Sequence, residues 1–179
     1  MSQQAHAMPE AIAQSLRAAA ARSSELAGGA ATLIFAAEPG AQDTPCPALR
    51  AAAGFASPET ARTAGAAVSE SVRDAMMSGK TVTVAAPALL AGACTGGLAV
   101  VPLAFAGRVR GVMVVGLAGP LDQPVSQMLS QIAGSIGLQL DHMHLAAELE
   151  ALRSTSPAAG SEDPDELLKL SEQLFAQDI

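Results

Sequence analysis

From Leu98 to Leu117 the chain reads LAVVPLAFAGRVRGVMVVGL, two apolar runs joined by Ala106-Gly107-Arg108. Each run is rich in Val and Leu and short enough to be a strand. A glycine-centred break of a few residues between two such runs is the sequence form of a β-hairpin. Two neighbouring buried strands supply the centre of a sheet. Any fold available to this chain has to be built around that pair.

The rest of the chain supplies elements on either side of it. Ile12, Leu16, Ala19, Ala20, Ser23 and Leu26 recur at spacings of three and four, which predicts a helix. Pro9 opens it at the first helical position, with Glu10 at its positive end, and Gly28-Gly29 closes it. Ala31–Ala37 reads as a strand, 38–47 as a proline-rich loop and Ala48–Phe55 as a weaker, alanine-rich strand. Ser57-Pro58-Glu59 is a helix start, with Ser57 as cap. That helix is expected to run unbroken to Ser78, burying Val68, Val72, Ala75 and Met76, with Gly65 a mild cost inside it. Lys80–Val84 is a third strand, and Ala85–Gly97 an uncharged loop or short helix.

After the hairpin, Asp122 can cap a long helix over 123–153. Val125, Leu129, Ile132 and Ile136 are expected to face the sheet. Beyond Gly137 a second stripe takes over: Leu138, His142, Leu145, Leu149 and Leu152, at steps of four and three. The order predicts an α+β fold, a mainly antiparallel sheet of about five to six strands with the N- and C-terminal helices together on one face. The expected domains are a loose start over 1–10, a folded unit over 11–153, a linker over 154–162 and a short acidic amphipathic helix over 163–179.

Composition excludes several functions. The net charge is −7 and there is no Trp or Tyr. A nucleic-acid partner is therefore not expected, since it needs a basic face or aromatic stacking platforms. Most of the net negative charge lies in the tail: residues 154–179 carry one Lys and six Asp/Glu, −5 of the −7. Thr81–Gly107 contains no charge, but two prolines and four glycines break it into strand, loop and strand, so no membrane span is expected. Two cysteines, Cys46 and Cys94, and no basic-then-apolar N-terminal leader fit a cytoplasmic setting.

The stretch Val101-Pro102-Leu103, Gly107-Arg108, Gly111-Val112-Met113 resembles the GAF domain, whose most regular feature is a "val-pro-leu" strand, a glycine turn and a "gly-val-leu" strand. Gly79-Lys80-Thr81-Val82 resembles the family's entry into the strand before its pocket loop. The resemblance spans roughly Ala11 to Leu152. It implies a sensory or regulatory module, dimeric through its first and last helices, that binds a small molecule or acts through protein contacts in signal transduction. The Asn-Lys…Phe…Asp-Glu pattern of the cyclic-nucleotide binders is absent; the chain has no Asn. Neither cysteine is followed by the His of the bilin binders, and His6, His142 and His144 are poorly placed as haem ligands. The identity of any cofactor is left open.

The resemblance places a ligand pocket behind the loop 85–97, with Thr83, Leu90, Cys94, Thr95, Val101 and Leu103 as the candidate contacts. The loop offers no charge, so a ligand there would be held by apolar contacts and backbone amides. Cys94 also sits where the free methionine-(R)-sulfoxide reductase, a GAF enzyme, keeps a catalytic cysteine. That enzyme has further cysteines and acids in its pocket loop, and this loop has neither. No Lys, Arg or His lies near Cys94 in sequence to activate its thiol, so a half-buried apolar role is expected and no catalytic residue is assigned. His142 and His144 point to different helix faces and are not expected to share a metal. Arg108 and Arg110 are expected to be solvated. The tail over 163–179 is a candidate surface for a signalling partner, either beside a sensing domain or as the working part of a non-sensing scaffold.

Overall fold

The computed structural model describes residues 8–28, 31–37, 47–90 and 94–155. Residues 1–7 of the expected loose start, the tail over 163–179 and Cys46 lie outside the described residues, while Pro9 and Glu10, expected in that start, cap and begin the first helix. Ser154 and Thr155, expected in the linker, are the last residues of the final helix.

The described residues form, in chain order, α1 (Glu10–Leu26), β1 (Thr32–Ala36), β2 (Ala48–Ala53), α2 (Pro58–Ala67), α3 (Ser69–Ser78), β3 (Val82–Val84), β4 (Gly97–Phe105), β5 (Arg108–Leu117) and α4 (Gln123–Thr155). The strands make one five-stranded sheet in the order β2-β1-β5-β4-β3, and every neighbouring pair is antiparallel. The expected hairpin is β4–β5, paired from Gly97↔Leu117 to Phe105↔Arg108. Its two-residue turn holds Ala106 at φ 49° and Gly107 at φ 79°. Positive φ at both central positions is what the right-handed twist of the flanking strands requires. Thr81–Gly107 divides into β3, a loop and β4. Among the described residues no helix is long and apolar enough to cross a membrane.

Alternation along the strands sends successive side chains to opposite faces. On one face Ile34, Ala99, Val101, Leu103, Met113 and Val115 pack against Leu16 and Ala20 of α1 and Leu129, Ile136 and Leu140 of α4. On the other, Leu33, Phe35, Leu98, Val100, Val112 and Val114 pack against Ala61, Ala64, Val72 and Met76 of α2 and α3, and against Leu90 and Cys94. The first and last helices thus share one face, as expected.

Three local expectations are corrected. Pro9 stands at the N-cap and not inside the first turn. The helix expected over 59–78 is two helices that meet at Val68, where φ −106° and ψ 5° interrupt the helical backbone. Val68 itself is buried, so the break keeps both short helices on the sheet. Ser57 does cap α2, its hydroxyl accepting from the Thr60 amide at 3.2 Å. Gly65 is the contact point for the Phe35 ring: a Cβ there would lie 3.4 Å from it.

The third correction concerns α4. Its inward side does not end at Gly137 but continues through Leu140, Asp141, Met143 and His144, all buried. Gly137 marks the closest approach of the helix to the sheet, where a Cβ would stand 2.7 Å from the Ala104 carbonyl oxygen. The stripe of Leu138, His142, Leu145, Leu149 and Leu152 is present on a different side, with Leu149 56% and Leu152 67% exposed.

Candidate functional site

The loop between β3 and β4 borders an open depression of about 490 Å³, lined by Thr83, Val84, Ala85, Ala86, Cys94, Thr95, Gly96 and Gly97. Of the six candidate contacts, Thr83, Cys94 and Thr95 meet there. Thr83 lies on β3, the edge strand of the sheet among the described residues, and is exposed. The loop is tied down by backbone bonds: the Cys94 amide donates to the Leu90 carbonyl at 2.9 Å and the Gly96 amide to the Leu117 carbonyl at 2.8 Å. Gly96 lies so close to Gly119 that a Cβ would fall 1.9 Å from its carbonyl oxygen. Only glycine lets the loop reach the end of β5 there.

Two of the side chains at this depression, Thr95 and Cys94, have other work. Thr95 donates its hydroxyl to the Ala118 carbonyl at 2.7 Å, closing the same junction. Cys94 is 2% exposed and packs with Leu90 in the core beneath the loop. Burial pushes its thiol pKa up, and a hydrogen bond with the Ala31 backbone opposes this only in part. A thiol held protonated in this way is a core residue and a poor nucleophile. Val101 and Leu103 are not part of the depression. Their odd-numbered positions on β4 point to the α1–α4 face, opposite Leu98 and Val100. The six residues therefore divide between two sides of the sheet and cannot contact one ligand.

A second polar constellation, not anticipated from the sequence, lies where α4 crosses the hairpin tip. Asp141 is 1% exposed and accepts two charge-assisted hydrogen bonds, from Arg110 Nε at 3.0 Å and Arg108 Nη2 at 3.1 Å. Arg110 also comes within 4.0 Å of Glu148, two turns along the helix from Asp141. The expectation of solvated arginines is thus overturned: Arg108 is half-exposed, but Arg110 is only 19% exposed and both are committed to Asp141. An acid buried on α4 is stable only with such partners, and the β5 alternation delivers both arginines to one side. His144 sits one turn further along. It is buried, its ring hydrogen-bonds with the Ala37 backbone, and its Nε2 has no hydrogen-bond partner among the described residues. Burial, then the neighbouring Arg110 charge, lowers its pKa; the Ala37 bond, Glu148 and Asp141 oppose this. Among the described residues no group of three or more His, Cys, Asp or Glu is placed to hold a metal.

Along the α1–α4 seam two further depressions share Ser15 and Gln139. The larger, about 660 Å³, lies between Pro9–Ser15 and Gln139–Glu150 and is walled mainly by Ile12, Met143, Ala146 and Ala147. The smaller, about 390 Å³, runs between Ala18–Leu26 and Met128–Ile136. The pairing of low α1 numbers with high α4 numbers shows that the two helices run antiparallel.

Comparison with known proteins places this architecture. No family model matches the sequence, and no curated protein matches it. Solved structures do. The GAF-B domain of DevS from Mycobacterium smegmatis is 20% identical, with a TM-score of 0.51 over 79% of this chain and 98% of that one. The GAF domain of the cyanobacteriochrome TePixJ is 13% identical, with a TM-score of 0.54 over 81% and 98%. A type II free methionine-R-sulfoxide reductase from Thermoplasma acidophilum is 14% identical, with a TM-score of 0.52 over 74% and 94%. At these identities the likeness is one of fold, and it agrees with the hairpin motif, the antiparallel five-stranded sheet and the pairing of first and last helices: the chain has the GAF fold.

Proposed function

We propose that the protein is a regulatory GAF module of a signalling system, working as a homodimer through the outward side of α4. The observation that carries this is the exposed stripe of α4. A helix of 33 residues spends one side on the sheet and still presents Leu145, Leu149 and Leu152 on another. Leu149 and Leu152 are more than half exposed, and apolar residues at steps of three and four are what a partner helix buries. A second copy offers the same stripe, so a two-fold contact is self-complementary. Relatives in fold come from signalling proteins such as a methyl-accepting chemotaxis protein and a cyanobacteriochrome, which supports the same reading.

Small-molecule sensing is the lesser part of this proposal. The depression at Thr83 and Gly97 is open, Thr95 and Cys94 are engaged elsewhere, and no charged side chain lines it. It suits a small, weakly polar ligand held by backbone groups. Reductase chemistry has little support, because the thiol that would carry it is buried and protonated. Sedimentation of the full chain tests the dimer. Its mass should rise to that of a dimer with concentration, and a Leu149→Glu, Leu152→Glu variant should stay monomeric. A wild-type chain that is monomeric at every concentration ends this reading.

A further inference from the structure

The larger groove between α1 and α4 has no occupant among the described residues, and its walls are apolar: Ile12 from one helix, Met143, Ala146 and Ala147 from the other. It adjoins the α4 stripe, with His142 on their common border, but is centred on another side of the helix. On a helix of 3.6 residues per turn, Met143, Ala146 and Ala147 lie on the α1 flank of Leu138, Leu145 and Leu149. The chain leaves α4 at Thr155, little more than one turn past the end of the groove at Glu150.

The sequence beyond Thr155 has a form complementary to the groove. In a helix, Leu167, Leu168, Leu170, Leu174 and Phe175 share one side, within an arc of about 160° at 100° per residue. Glu166, Lys169, Glu172 and Gln173 fall outside that arc. Asp163, Pro164 and Glu166 supply a cap, a first residue and a capping-box acid. A helix this short does not hold in water alone; it needs a surface for its apolar side. Residues 163–175 would span about 20 Å, and the α4 wall of the groove, Gln139–Glu150, about 17 Å. The intervening segment 156–162 reaches up to about 25 Å, more than enough to turn back along α4. A tether this short gives the chain's own tail an effective concentration on the order of millimolar at the groove. Residues 1–7, which precede Pro9 at this same end of the groove, carry Met1 as their one large apolar residue and cannot fill it.

We propose that residues 163–175 dock as an amphipathic helix in the α1–α4 groove of the same molecule. The tail runs antiparallel to α4 and adds a third helix to that face. Its acidic side is left outward, where a partner would meet it.

Because the chain contains no Trp or Tyr, Phe175→Trp in the full chain creates a lone emitter on the apolar side of the tail. A docked tail gives blue-shifted emission that does not vary with protein concentration. Ala147→Glu in one wall of the groove, or Ala11→Glu in the other, moves that emission back to the solvent-exposed position while the far-UV helical signal of the core persists. Three results overturn the proposal: solvent-exposed emission from the start, a blue shift that neither groove substitution reverses, or a blue shift that grows with concentration. The last would mean that another copy supplies the segment. The sedimentation mass of the same samples reports the α4 dimer separately, so either idea can fail without the other.

Discussion

Asp141 of α4 and Arg110 of β5 are joined by a 3.0 Å hydrogen bond whose acid is 1% exposed. Arg108 makes a second bond to the same carboxylate. The pair fastens α4 to the hairpin tip just before the helix presents Leu145, Leu149 and Leu152. Asp141→Ala leaves two arginines that can still turn toward water, so the loss is that of two charge-assisted bonds and not of a stranded buried charge. We expect about 2–3 kcal/mol of destabilisation, read from the urea midpoint. Arg108→Ala, at the half-exposed partner, should cost below about 1 kcal/mol. Equal losses at Asp141 and Arg108 would contradict this assignment.

Two glycines one turn apart on α4 should respond in opposite directions. At Gly137 a Cβ would meet three backbone atoms of Ala104 at 2.7–2.9 Å, so Gly137→Ala must lift the helix from β4. The cost of such overpacking is about 1–3 kcal/mol, set against roughly 1 kcal/mol of helix propensity gained. At Gly134 nothing lies within 4 Å of the added atom. Gly134→Ala should therefore stabilise by about 0.5–1 kcal/mol. Thermal melts of the two variants beside the parent chain check both signs.

Stability should depend on His144 as the solution is acidified. Its folded pKa is lowered from 6.5 by burial and by Arg110. The unfolded chain therefore binds a proton that the folded chain refuses, and stability is lost as pH falls below 6.5 toward the lower folded value. Above 6.5 the contribution is complete and flat. Denaturant titrations across this window should show a slope that His144→Gln reduces. An identical slope in the variant would assign the dependence to other groups.

Cys94 should react as a core residue. In a Cys46→Ser background it is the sole thiol. Alkylation at neutral pH should be far slower than for a free thiol and should rise to the free-thiol rate when the chain is unfolded in urea. Cys94→Ser should lower stability through loss of apolar packing beside Leu90, and no methionine sulfoxide turnover should be detectable in either form. Fast labelling of the native chain, or turnover that depends on Cys94, would restore the reductase reading.

Much of the candidate site could be reached from sequence because it is local. Thr83, Cys94 and Thr95 meet since they lie on the strand before the loop, at its end and beside it. Val101 and Leu103 were misplaced for a reason that sequence does not resolve. Alternation shows that they share a side of β4, but not which side the loop covers. That is decided by which helices pack where.

The sequence by itself determined the elements whose causes are local: the hairpin, from two apolar runs and a tight turn; the caps at Ser57 and Asp122; the stripes of α1 and α4. Each arises from spacing along the chain or from one side chain bonding to backbone a few residues away. Only the tertiary structure decided that Asp141 would be buried under Arg108 and Arg110, more than thirty residues away. It also decided that Gly137 would be the contact with Ala104, and that a groove between α1 and α4 would be left to fill. Those relations come from packing between elements distant in sequence, where distance and enclosure set the energy and spacing along the chain carries no record of either.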